Sequence, residues 1–144
     1  MEVTATMGGK GMNEEPLLYS TLMETLGAEL VEWTPGRVRW AITVAPWHSN
    51  PGGVVHGGVM ATLLDEAVAN AVTSLRGYDV TSVDPHLVVD MNVSFIAAAR
   101  PGERLEVEGQ VLQLGRQVAF GEAEARRQPD GALVAKGRFT FIIP

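Results

Sequence analysis

A chain of 144 residues and 15.4 kDa has room for one domain and is long enough for a self-supporting core. Apolar residues make up 46% and charged residues only 19%, against a usual charged share of roughly 25%; this excludes disorder for most of the chain and leaves few charges to coat a free monomer. The net charge of -6 argues against a nucleic-acid binder, and the absence of cysteine removes disulfides, zinc–thiolate sites, iron–sulfur clusters and thiol nucleophiles.

In chain order, residues 1–15 carry Glu2, Glu14 and Glu15 among glycines and no apolar run. They read as a loose tail, neither signal peptide nor anchor, ahead of a single domain over 16–144. Nowhere does the sequence reach the ~18 uninterrupted apolar residues of a membrane span, so no membrane partner is expected and the location expected is cytoplasmic. Pro16 to Leu26 has helical spacing of its apolar residues and stops at Gly27. Leu30 to Trp33, a Thr34-Pro35-Gly36 turn and Arg37 to Val44 form a hairpin pattern, with Val38, Trp40, Ile42 and Val44 alternating against polar neighbours. A loop follows over 46–58, then a helix from Val59 to Leu75 that is apolar nearly all round and should be wrapped by other structure. Four strand patterns complete the chain, near 87–96, 105–111, 117–126 and 133–143, and short turns between successive strands imply an antiparallel meander. The class is α+β: an antiparallel sheet wrapped around one long central helix.

Two features carry chemical interest. Asp65, beside Glu66, is a carboxylate inside an otherwise apolar helix, and burying an unpaired carboxylate costs several kcal/mol. An ordinary reading is a narrow wet stripe or an arginine pair. The second feature is the His56-Gly57-Gly58 entry to the same helix, whose first amides lack intrahelical partners and lie at the positive end of the helix dipole. Such amides can stabilise an oxyanion, although a glycine-rich helix start is also commonplace. His48, His56 and His86 lack metal-ligand spacing. A Ser-His-Asp arrangement from Ser49 and His56 has no nucleophile-elbow pattern behind it.

Asn50-Pro51-Gly52-Gly53, His56-Gly57-Gly58, Asp65 nine positions after that histidine, and Asp90-Met91-Asn92-Val93 on a strand occur in one order. Together with Arg100-Pro101-Gly102-Glu103, Leu112 to Arg116 and Ala135-Lys136-Gly137, they resemble the PaaI-like acyl-CoA thioesterases of the hotdog fold. The resemblance implies hydrolysis of acyl-CoA thioesters by a homodimer, or a homotetramer built as a dimer of dimers, with no cofactor and no metal. It places Asp65 as general base or nucleophile and the Gly57 N–H as the donor to the thioester carbonyl. It places Asn50 and His56 as groups that hold the thioester or the attacking water. Gly58 and Val88 border the substrate, with Val88 standing where many members have Ser or Thr. Arg100 and Arg116, with Arg76, Arg126 and Arg127, are the cations available to the CoA phosphates.

Gly57 and Asp65 are eight residues apart, about 12 Å along one helix. A catalytic group must come within ~3 Å of what it serves. One chain therefore cannot bring both to one thioester, whereas two chains with antiparallel helices can. Alternatives to this reading are a hotdog dehydratase or hydratase using His56 with Asp65 or Glu66, and a non-catalytic acyl-CoA-binding module.

Overall fold

The computed structural model describes residues 21–76 and 85–144. The expected tail over 1–15 and the expected helix start at Pro16 lie outside the described residues. Among those described, a short helix α1 (Thr21–Leu26) leads into strands β1 (Glu29–Thr34) and β2 (Arg37–Thr43). The turn between them has Pro35 followed by Gly36 at φ 79°, a conformation that glycine adopts without strain. The long helix α2 (Gly57–Arg76) comes next, then β3 (Leu87–Phe95), β4 (Arg104–Leu114), β5 (Val118–Gln128) and β6 (Leu133–Ile142).

All strand pairs are antiparallel, in a six-stranded sheet of order β1-β2-β4-β5-β6-β3. The sheet curls around α2, giving the expected hotdog arrangement. The expected four-strand meander is corrected to three strands. β3 does not lie beside β4 but crosses to pair with β6, while β4 docks on β2. The reason lies in the Phe95 to Arg104 connection, which runs across the end of the sheet: Ile96 and Ala97 both donate to Val134 O, and Val55 donates to Ala99 O.

Alternation along β4, β5 and β6 turns Leu105, Val107, Ala123, Ala125, Phe139 and Phe141 inward against Leu63, Leu64, Ala67, Val68 and Val72 of α2. Close packing of helix on sheet depends on two glycines. A Cβ on Gly109 would collide with the backbone of Ala67, and one on Gly121 with the Val68 side chain. Two buried polar contacts are built into this core. The Trp40 Nε1–H donates to Asn70 Oδ1 at 2.9 Å, and His48 joins the loop after β2 to the end of α1.

The expectation that α2 is wrapped all round is met on one face only. Met60, Leu63, Leu64, Ala67, Val68, Ala71 and Val72 are buried, whereas Thr62, Asp65, Glu66, Ala69 and Thr73 on the other face are half-buried. The alternation in β3 also shifts. A register break between Val88 and Asp90 sets Val88, not Val89, opposite the buried Phe141. Leu87, Val89, Met91 and Phe95 remain largely exposed along this edge strand.

Candidate active site

The loop feeding α2 is held by backbone and side-chain bonds at every step. His48 Nδ1 accepts from Ala45 N–H and its Nε2 bonds to Leu26 O, both at 2.8 Å. His48 O then receives the His56 N–H, and Ser49 pairs with Val55 as a one-residue bridge. Asn50 closes the tip: its N–H donates to Val54 O, and its Oδ1 accepts from Gly52 N–H at 2.9 Å and Val54 N–H at 3.4 Å. The Asn50 side chain thus shapes its own turn. Its amide NH2 has no hydrogen bond among the described residues, and Asn50 lines a groove.

His56 caps the helix. Its carbonyl receives the first helical N–H, from Met60, and its Nδ1 accepts the Gly58 N–H at 2.8 Å. The Gly57 N–H, between His56 and Gly58, has no hydrogen-bond partner among the described residues, nor has the Val59 N–H. Gly57 is the first residue of a 20-residue helix, so this amide lies where the helix dipole is positive. It opens into a groove of about 430 Å³ lined by Asn50, Val54, Gly57, Met60, Phe95 and the alanines at 97–99.

Asp65 stands two turns further along α2, on the half-buried face. Its Oδ1 is sealed from solvent and has no hydrogen-bond partner among the described residues. Burial alone pushes its carboxyl above the ordinary 3.8. Among the described residues no arginine neutralises Asp65 itself, so an ion pair does not describe this carboxylate, while its face of α2 is the half-buried stripe shared with Thr62, Glu66 and Thr73. Such a group is costly for a lone chain and available for proton transfer or attack.

The fold therefore brings Asn50, His56, Gly57 and Gly58 together in one mouth and leaves Asp65 about 12 Å away along the helix axis. The Gly58 amide is engaged by His56. Val88 lies on the inward face of β3, opposite Phe141. Arg100 is exposed and adjoins Ala99 at the groove, whereas Arg116 is exposed in the turn after β4. The 11 residues of β4 separate these two arginines by roughly 33 Å. Arg127 is paired with Asp130 and also donates to Ala98 O, while Arg126 binds Glu124. Ser49 Oγ is buried without a partner, so no Ser49–His56 hydrogen bond exists. His48 and His86 are structural, His86 through Nε2 to Ala69 O and Nδ1 to Arg76.

Sequence reasoning missed Phe95, Met60 and the three alanines as groove walls. Three consecutive small residues directly after a strand, with no helix pattern around them, are the signal that was available.

The thioesterase superfamily model matches residues 52–134, which span the loop, α2 and most of the sheet. The chain belongs to the thioesterase superfamily. A putative esterase of Caenorhabditis elegans is 37% identical over 112 residues, covering 77% of this chain and 63% of that protein. Human acyl-coenzyme A thioesterase 13 is 34% identical over 112 residues, covering 77% of this chain and 76% of that one. A variant of the phenylacetic acid degradation protein PaaI from Thermus thermophilus superposes with a TM-score of 0.77 at 26% identity, over 87% of this chain and 100% of the other. This thioesterase is of the PaaI-like hotdog type. Among its described residues, no helix is long and apolar enough to cross a membrane.

Proposed function

We propose that the protein hydrolyses acyl-CoA thioesters at sites shared between two copies of the chain. One observation carries this reading: the free Gly57 N–H and the unpartnered Asp65 oxygen lie on the same helix, too far apart to meet at one carbonyl. Two antiparallel copies of α2 would bring the Gly57 of one chain to the Asp65 of the other, twice, as a closed symmetric pair requires. The exposed edge of β3 supports the pairing. The outer edge of its nine residues is open, with Leu87, Val89, Met91 and Phe95 exposed, and this is the kind of edge that joins a second strand. The half-buried face of α2 with Asp65 would then be covered as well.

In this site the thioester oxygen accepts the Gly57 N–H, and Asn50 holds the carbonyl or the water through its free NH2. His56 keeps the helix mouth in shape. The Asp65 carboxylate takes a proton from water as the oxygen adds to the carbonyl carbon. The oxyanion then collapses, the C–S bond breaks, and Asp65 returns the proton to the thiolate, giving acid and CoA. In the other route consistent with this geometry, Asp65 adds directly, expels the thiolate and leaves a mixed anhydride that water opens. Single turnover in ¹⁸O-water separates them where water opens the anhydride at the Asp65 carbonyl: the ¹⁸O then stays on Asp65 and the acid leaves unlabelled, whereas the first route puts one ¹⁸O into the acid.

The test of sharing is complementation. Asn50→Ala and Asp65→Asn are each expected to be nearly inactive. Refolded together in equal amounts, half of the pairs are mixed and each mixed pair has one intact site, so about a quarter of the sites return. A mixture with verified mixed dimers that is no more active than its components overturns the shared site. A parent that releases no thiol from any acyl-CoA overturns hydrolysis itself.

A further inference from the structure

Phe95 is the last residue of β3, on the helix side of the sheet, with Ala135 opposite it in register. The strand stops there because Ile96 and Ala97 turn to share Val134 O. This leaves the ring at the mouth of the groove, 59% exposed although it points toward the core side. Its Cζ is 3.4 Å from the point that a Cβ on Gly57 would occupy. The ring therefore faces the helix start that carries the free N–H, about one methyl group away, and shares the groove lining with Asn50, Val54, Met60 and three alanines.

A carbonyl oxygen bound to the Gly57 N–H sits ~2.9 Å from that nitrogen, and its carbon about 1.2 Å further on. Both substituents of that carbon are then within reach of the ring edge. One is the sulfur of a thiol arm rich in amides, for which an aromatic ring offers no hydrogen bond. The apolar partner for the ring is the other substituent, the first carbon of the acyl group. Resting on the acyl-CoA reading above, we propose that Phe95 determines specificity: its ring limits the width of the acyl group at the carbon next to the carbonyl, admitting linear chains and rejecting branched ones. The three alanines of the same groove add little bulk of their own, so the ring is the large rigid side chain beside the helix start.

The experiment compares isomers of equal carbon number: butyryl-CoA with isobutyryl-CoA, and hexanoyl-CoA with 2-methylpentanoyl-CoA, by thiol release. The parent should favour the linear member of each pair. Phe95→Ala should raise the branched-to-linear ratio of kcat/KM by about tenfold or more, the scale on which a pocket judges one methylene. Phe95→Leu, which keeps an apolar side chain in the same place and guards against loss of folding, should fall between. A merely structural role for the ring would lower both isomers together and leave the ratio alone. An unchanged ratio in either variant, with the linear isomer still hydrolysed, overturns the proposal. A parent inactive on every isomer overturns the acyl-CoA reading first, and this assignment with it.

Discussion

His56 Nδ1 accepts the Gly58 N–H at 2.8 Å, so the histidine that precedes the helix also caps it and leaves the intervening Gly57 amide as an open donor on the groove wall. A side chain with an oxygen acceptor can do the same job. His56→Ala should cost about 1 kcal/mol of stability through the lost cap, and thiol release should fall roughly tenfold through a loosened helix mouth. His56→Asn should restore most of both. Thermal melts beside thiol-release kinetics check this, and an Asn variant as impaired as Ala would assign the histidine a role beyond capping.

The Gly57 amide can be removed without disturbing the helix. Proline is well accommodated at the first helical position, where its missing N–H costs no intrahelical bond. The Cβ it adds meets only the Phe95 ring, at an ordinary contact distance of 3.4 Å. Gly57→Pro should fold with little change in Tm and lose at least about 100-fold in kcat, the typical loss for an oxyanion donor. Gly57→Ala, with the same Cβ and an intact N–H, should retain much more. Equal activity in the two variants would remove the amide from the mechanism.

For Asp65, activity and stability should move in opposite directions. Asp65→Asn keeps the shape but removes the base, so kcat should drop ~10²–10⁴-fold with KM little changed. The folded carboxyl is raised above 3.8 by burial, so the native chain holds that proton more tightly than the unfolded one. Its contribution to stability is present below pH 3.8 and lost as pH rises through the raised value. At neutral pH the charged Asp65 is a net cost, and Asp65→Asn should melt a few degrees higher, the gain fading in acid. The acid limb of kcat/KM should likewise lie above the usual aspartate range. Glu66→Gln, as a control, should leave both nearly unchanged.

His86 supplies a second pH dependence, of stability and not of chemistry. Burial first, with Arg76 adding to it, holds its ring below the ordinary 6.5 against the opposing bond to Ala69 O. The unfolded chain takes up the proton first, so this contribution is complete above pH 6.5 and declines as pH falls toward the lowered folded value. The Tm of the parent should therefore decrease through that window more steeply than that of His86→Gln. Identical slopes in the two melting series would show that the ring does not titrate in this way.

Local pattern carried much of this protein. The period of the apolar residues marked α2, and the alternation in Leu105 and Val107 marked the inward face of β4, because a side chain's face follows from backbone geometry a few residues away. Asp65 was visible as a carboxylate among apolar neighbours, and Gly57 as a glycine at a helix start, for the same reason. Other features required the tertiary structure. The place of β3 beside β6 depends on pairing between residues 40 (Phe95 and Ala135) to 55 (Leu87 and Ile142) positions apart, which no local period records. The register break after Val88 shifts the faces at the start of that strand and leaves Met91, Val93 and Phe95 where alternation put them, so Val88 pairs with Phe141 on the inward face in place of Val89. His48 and His86 became structural only when folding supplied the carbonyls of Leu26 and Ala69. Phe95 became a wall of the site only because the crossing strand ends against the first residue of α2. Periodicity tells which way a residue faces; what stands opposite it is decided by contacts between distant parts of the chain.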